Sequence, residues 1–575
     1  MMKPERVRIP RRLSVLAGAF VVAAAGWLVL GRSQGRPDID DQAVIRDVLS
    51  EASTAQVRAA CSMCHVFPSP DMLPKEVWPV AVRGMFSIAE RRGVAMAVSL
   101  DRAMAWYVFQ APDQLPPAGG RTDAGPGSIA WDVEPWRPAD ARPDTGRARS
   151  VASDDTTSTP VSASPAPTLA PAVTHVQMAP LLGGAGLDII VSDVSTDRVY
   201  ALRPYAPGAS PVVVGTVPDP GRVAVTDLDG NGEPDLLVGA LGRLEPTSDP
   251  VGSIVWFRRT GPTAFEPIVL VDSIGRVADV QVADLSGDGR PDLLVAVFGW
   301  MENGGLFWLE RTGASRTRPA FVRHVLDTRP GFTDVRATDL NRDGHTDVIA
   351  LIAQEFQQVM VYWGTPDGFR AETVYQAPNP DWGFSGLEVA DFTGNGLPDL
   401  IITNGDNLDL TTPKPFHGVA FLENLGDGTF AYRHLTAMYG AHRAVPVDLT
   451  GAGRPGLVVS AYLPPSTSAR APLPREALLW LERTGPTQLV RRVLKADGVD
   501  HMTVAAGDAT GDGRPDLALG FMDLGVVDPA QAHAGDPLTA WVTLWRNRAG
   551  TITPAPADPA DIIDWRRNAS PGRER

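Results

Sequence analysis

The chain has almost no cysteine. Two occur in 575 residues, and both fall within one pentapeptide. If that pair serves a cofactor, no disulfide remains to staple the fold. Excess positive charge is missing too. The net charge is −15, which argues against nucleic acid as a partner and favours cations and basic proteins. The sequence also lacks a nucleophile elbow, a phosphate loop, a dinucleotide-binding fingerprint and an H-E-x-x-H zinc motif. What it has is length, a hydrophobic fraction of 44%, 56 glycines and 52 prolines. That length exceeds one ordinary core, and the Gly and Pro content points to many turns and some linkers.

The pentapeptide is Cys61-Ser62-Met63-Cys64-His65. C-x-x-C-H is the attachment pattern of a c-type haem. Two thiols at this spacing form thioethers with the two vinyl groups of one porphyrin, and the next histidine sits under the iron. A thioredoxin-like redox pair would want a βαβ context, which the surrounding sequence lacks. Half a zinc site would want further Cys or His nearby, and none lies within a hundred residues.

The N-terminus divides into a basic segment, residues 1–12, and an apolar run, 13–31. Arg6, Arg8, Arg11 and Arg12 precede Leu13–Leu30. Eighteen residues at about 1.5 Å each reach about 27 Å, enough to span a bilayer as a transmembrane helix. The upstream arginines place the N-terminus in the cytoplasm and the rest of the chain outside. The run reads as an uncleaved anchor. The alternative is a cleavable signal ending at Ala23-Ala24-Ala25. Residues 40–112 read as helical, with further helices at Glu76–Ala89 and Leu100–Phe109. That is the size of a small all-α cytochrome c-like domain. Residues 113–171 are rich in Pro, Ala, Ser and Thr and read as a linker, long enough for the helical domain to reach either face of the C-terminal region. Within it, Ile129-Ala130-Trp131 and Trp136 are candidates for local docking.

From about residue 172 the chain repeats. The first aspartates of successive copies are Asp227, Asp284, Asp339, Asp391, Asp448 and Asp508, spaced by 57, 55, 52, 57 and 60 residues. A vestigial copy ends at Asp188. Each unit reads as four short strands, such as Val277–Ala283, Leu293–Phe298, Gly305–Glu310 and Phe321–Leu326 in the third. Seven such units over 172–550 predict an all-β, seven-bladed β-propeller, which protects its edges by radial closure. Trp541–Arg546 is expected to complete the ring beside the first blade, and 551–575 reads as a C-terminal tail.

Five copies keep an oxygen-bearing side chain at positions 1, 3, 5 and 9. These are Asp227, Asp229, Asn231 and Asp235; Asp284, Ser286, Asp288 and Asp292; Asp339, Asn341, Asp343 and Asp347; Asp391, Thr393, Asn395 and Asp399; and Asp508, Thr510, Asp512 and Asp516. Glycine at position 6, and at position 4 in every copy but the one at Asp339, which has Arg342 there, permits the tight turn that brings such oxygens together. Hard oxygen donors at this density suit calcium, so up to five Ca²⁺ ions are expected. A plain Asp/Gly turn is the alternative for any one copy. The copy at Asp448 has Ala452 and Gly456 at positions 5 and 9 and should not bind.

The repeats resemble the FG-GAP/VCBS propellers of integrin α-subunits and many exported bacterial proteins. The stretch Cys61–Trp78 is similar to small exported monohaem cytochromes c. That second resemblance implies one haem c, held by Cys61 and Cys64, with His65 and a methionine on the iron. Met85, on the helix that follows Trp78, is the favoured methionine; Met96 and Met104 are the alternatives.

Within a blade, successive connections alternate between two faces. The aspartate loops join strands 1 and 2. The long 2–3 connections therefore share the opposite face with the 4–1 connections, which carry His442, Arg443, Asp500 and His501. Together these features lead to an expected function. It is a membrane-anchored electron-transfer protein on the periplasmic or extracellular side, with a redox protein partner. Its alternatives are a haem-linked oxidoreductase with its site at the propeller mouth, and a cell-surface adhesion or scaffold protein.

Overall fold

The structure, a computed structural model, describes residues 46–118, 129–138, 171–313, 315–408, 412–464, 475–496, 498–523, 540–548 and 562–567. The apolar run at 13–31 lies outside the described residues. Among those described, no helix is long and apolar enough to cross a membrane.

Seven antiparallel sheets follow one another along the chain and form a seven-bladed β-propeller. The blades span 173–216, 220–274, 277–327, 332–376, 384–437, 441–495 and 501–547. Their second strands are the most apolar. Asp235–Ala240, Asp292–Val297 and Asp347–Ile352 are buried at every position. Such strands are covered on both faces by neighbouring blades, so they read as continuous Val/Leu/Ile runs rather than alternating ones. Outer strands such as Phe265–Ile274 alternate partly buried and exposed positions, as expected where one face meets water.

Two segments join the propeller that the sequence does not advertise. The strand Trp131–Trp136, inside the stretch read as linker, pairs antiparallel with Val542–Asn547 and is the outer strand of blade 7. Val542–Asn547 is therefore the third strand of that blade, and the ring is closed by the earlier segment. Trp131 meets Trp545 edge-on at 5.9 Å, and Trp136 meets Tyr200 of blade 1 at 5.3 Å. Pro135 is tolerated because an outer strand has no further partner to donate to. The second segment is Ile562–Asp564, inside the stretch read as a tail. It adds a fifth strand to blade 6. The adjoining Trp565 is buried against Phe392 and Phe421, with the Arg483 guanidinium 4.9 Å from its ring centre.

Among the described residues before the propeller are the α-helices α1, Glu51–Cys61; α2, Trp78–Arg91; and α3, Leu100–Gln110. Ser50 and Ser99 cap α1 and α3 through their hydroxyls. Beyond α2, Gly93 takes φ +65°, the left-handed turn that glycine makes at no steric cost. The helices enclose a core of Val57, Trp78, Val82, Ala103, Trp106 and Tyr107. Trp78 stacks on Tyr107 at 3.9 Å and donates its indole N–H to the carbonyls of Pro70 and Leu73.

Candidate functional site

Each aspartate loop follows an inner strand and turns on its first aspartate. Asp284 Oδ1 accepts from the backbone N–H of Gly287 and Asp288, and its Oδ2 from Gly289. Asp508 repeats this with Gly511, Asp512 and Gly513. Gly287 and Gly289 have φ near +75° and +81°, which aims those N–H groups inward.

The ninth residue has a different role. Asp235, Asp292, Asp347, Asp399 and Asp516 are all fully buried. One carboxylate oxygen of each accepts from the first half of its loop, as Asp235 does from Leu228 N. The other accepts from the backbone at the end of the third strand: Arg259 N, Arg311 N, Gly364 N, Asn424 N and Asn547 N, all at 2.7–2.9 Å. Several of those same residues then reach the preceding blade. Arg259 donates to Leu181 O, Arg311 to Leu228 O, Asn424 to Leu340 O and Asn547 to Leu449 O. The ninth aspartate thus ties each loop into its own blade, and in four of the five loops the side chain of the residue it holds reaches the neighbouring blade.

The loops differ in how well they could hold a cation. Among the described residues, Asp227, Asp229 and Asp235 are the one acidic trio whose ligand atoms lie within 4.8 Å of one another. That donor set fits a calcium ion. Burial pushes the Asp235 carboxyl up from its ordinary value, and the neighbouring Asp229 adds to this. In the loop at Asp284, the position-5 residue Asp288 is ion-paired with Arg290 at 2.5 Å, which holds its carboxyl below the usual range. Asp512 pairs with Arg514 in the same way. Asn341 donates to Asp343 at 2.9 Å, and Asn395 to Asn424 O at 3.2 Å. Asp448 keeps only the turn-capping role, accepting from Thr450 N and Ala452 N.

The inner strands of the seven blades line the central tunnel of the ring, and the charges they place there were not legible from the motifs. Every inner strand carries a register shift near its start, and at or just after that shift stand His175, Arg222, Asp279, Asp334, Gly386, Arg443 and Thr503. Their contacts cross between blades. Arg222 of blade 2 pairs with Asp279 of blade 3 at 3.4 Å and with Asp334 of blade 4. Arg443 of blade 6 reaches Asp334 at 2.7 Å, and Arg336 bridges Asp279 and Glu388 at 3.0 and 2.8 Å. Three guanidinium groups and three carboxylates therefore form one network. Burial pushes Asp334 up to about 6, against the pull of Arg222 and Arg336. The signal in the sequence was charge inside apolar strands, as in Phe332-Thr333-Asp334-Val335-Arg336.

At the mouth above this network, the two histidines have different settings. His442 lies beside Tyr462, and burial with Arg222 nearby pulls its imidazole down to about 4. His501 is fully buried, turned into blade 7 against Phe521 at 4.3 Å, and 3.5 Å from Asp500. Arg443 is held by Asp334. The expected cluster of His442, Arg443, Asp500 and His501 is thus divided between the tunnel and the blade interior.

Cys61 ends α1 and is buried, Cys64 is exposed and His65 is half-buried. The His65 Nδ1 lies 2.8 Å from Val66 O, which leaves Nε2 as the outward nitrogen. Burial pushes the Cys61 thiol up, offset in part by Tyr107. Two thiols and an imidazole on one turn are the donor set a covalent haem requires. Apolar groups nearby remain uncovered: Met63 is 47% and Val80 64% exposed, and Met85, Phe86, Met96 and Met104 are only partly buried. Met85 packs against the helical core, while Met104 Sδ accepts from Arg83 at 3.5 Å.

Comparison with known proteins bears on the propeller. Residues 339–402 match the FG-GAP-like repeat. Mouse integrin alpha-IIb is 31% identical over 147 residues, which is 21% of this chain and 14% of that protein. Human integrin alpha-IIb is 29% identical over 231 residues, 34% of this chain and 22% of that protein. The chain thus spans less than a quarter of the length of these relatives.

Proposed function

We propose that this protein is an exported binding or scaffold protein whose propeller is stabilised by calcium. The observation that carries this reading is the loop trio Asp227, Asp229 and Asp235, set in a propeller whose repeats are similar to part of an integrin α chain. A rigid ring with long connections on one face is a good platform for a partner. The test is binding of the purified protein to envelope fractions of its own cells. Binding should fall on chelation and return with added Ca²⁺. Calcium-independent binding, or none, would overturn the reading.

A second reading is favoured by one specific feature, the Cys61/Cys64/His65 turn. In it the helical module carries one covalent haem c, and the protein passes electrons to or from a redox partner while anchored by residues 13–31. A haem bound there supplies a one-electron couple. Cys61 and Cys64 would hold it, His65 would ligate the iron, and Met85 is the proposed second ligand. Haem that survives acid–acetone extraction, and is lost in Cys61→Ala or Cys64→Ala, supports this reading. Complete extraction from the unaltered protein removes it.

A further inference from the structure

The helical module and the propeller touch, and the contacts lie on one face. Arg92, just past the C-terminal end of α2, donates from Nη2 to Glu355 Oε1 at 2.8 Å, with side chains 33% and 20% exposed. Arg91 Nη2 lies 3.5 Å from Met301 Sδ. The backbone N–H of Ala118 donates to the Tyr439 hydroxyl at 2.9 Å. Met301 and Glu355 sit on the 2–3 connections of blades 3 and 4, and Tyr439 sits between blades 5 and 6. By the alternation of strand connections, all three belong to the face opposite the aspartate loops. Glu355 raises the Arg92 guanidinium most, and Cys64 of the C-x-x-C-H turn adds a smaller influence of the same sign.

We propose that the helical module docks in cis on the tunnel-mouth face, with Arg92 to Glu355 as its ionic contact, so that the Cys64 edge of the C-x-x-C-H turn is held against blades 3 and 4. The docking half stands on the contacts alone. Its consequence for a haem rests on the haem reading proposed for the Cys61/Cys64/His65 turn. A partner that approaches this face meets the module as well as the blades. Glu355 is then a fixed negative charge, and Arg92 a fixed positive one, beside the Cys64 edge. Ferric haem carries one more positive charge than ferrous haem, so a nearby carboxylate favours the ferric form and a nearby guanidinium the ferrous form.

Two measurements on the full chain test this, and they fail separately. In Arg92→Lys, a zero-length carbodiimide should form an amide between position 92 and Glu355, found by peptide mass mapping and lost when Glu355→Gln is added. Absence of that peptide from folded protein overturns the docking, whether or not haem is attached. In the haem-bearing protein, Glu355→Gln should raise the midpoint potential and Arg92→Gln should lower it. A merely structural contact would shift both in the same direction or neither, and that result overturns the proposed influence on the haem. Complete loss of haem on acid–acetone extraction would remove the haem reading while leaving the cross-link result to decide the docking.

Discussion

Arg443 of blade 6 and Asp334 of blade 4 form an ion pair at 2.7 Å across the tunnel. Neither residue's nearest blade neighbour supplies its partner, so the pair joins elements far apart in sequence. Asp334 also holds Arg222, while its Oδ2 is buried without a hydrogen-bond partner. Removing one member of a buried pair leaves an uncompensated charge, which costs about 3–5 kcal/mol. Asp334→Ala should therefore be more damaging than Arg443→Gln, because it strands the Arg443 guanidinium and leaves Arg222 with Asp279 alone, whereas Arg443→Gln leaves Asp334 still paired with Arg222. Urea unfolding followed by tryptophan fluorescence measures both. Equal, small losses would mean that the network contributes little.

Acid should weaken the propeller before it unfolds the helices. His442 has its imidazole depressed from 6.5 to about 4. Between those values the unfolded chain binds the proton and the folded chain does not, so stability falls as pH drops from 6.5 towards 4. At about 1.4 kcal/mol per unit, this one group accounts for at most about 3.5 kcal/mol. Asp334 acts oppositely. Its raised value, about 6, means that stability falls as pH rises from 3.8 to 6. His442→Gln isolates the histidine: the melting temperature should lose part of its acid slope between pH 6.5 and 4. An unchanged slope would assign it to other groups.

Calcium should act unequally on the loops. Asp229→Asn should reduce bound calcium, because Asp229 belongs to the one acidic trio drawn together among the described residues. Asp288→Asn should reduce it less, since Asp288 is already paired with Arg290. Saturating calcium at a hundredfold over its dissociation constant would add about 2.7 kcal/mol per site, visible as a fall in melting temperature on chelation. Asp235→Ala should destabilise even in chelator, because it orphans the N–H groups of Leu228 and Arg259, at about 1–3 kcal/mol for a buried group. Equal calcium loss from Asp229→Asn and Asp288→Asn would contradict the ranking.

The repeat spacing made the blades legible, because each blade is a local unit with its own turn chemistry. The four strands expected in the third unit lie within a residue or two of Val277–Ala283, Asp292–Val297, Gly305–Thr312 and Ala320–Asp327. Ring closure was not legible, because it is a pairing between residues some four hundred positions apart. Trp131–Trp136 carries Pro135 and two acidic residues, so its composition says linker. Only the waiting edge of Val542–Asn547 makes it a strand. The tunnel network escaped for a related reason: Arg222, Asp279, Asp334 and Arg443 belong to four different repeats, and only closure of the ring brings them together. The mouth histidines misled because parity of connections predicts a face but not a side-chain direction. His501 begins its strand at a position that other blades fill with Phe332 or Phe384, and it points into the blade as they do.

The strands Trp131–Trp136 and Ile562–Asp564 should matter more than their composition suggests. Trp565 is 1% exposed and packs on Phe392, Phe421 and Arg483. Truncating a buried tryptophan typically costs about 3–5 kcal/mol, so Trp565→Ala should lower the free energy of unfolding by that much, although it lies in a stretch that reads as a tail. Trp131 and Trp136 are only partly buried, so Trp136→Ala should cost less, about 1–3 kcal/mol. A chain beginning at residue 171 should behave differently again. It would leave Val542–Asn547 as an unpaired edge beside blade 1, and an exposed edge strand is a template for pairing with another molecule. Concentration-dependent association in sedimentation velocity is expected for that chain and not for Trp136→Ala. If the shortened chain stays monomeric and melts like the full one, the closing role of Trp131–Trp136 would be disproved.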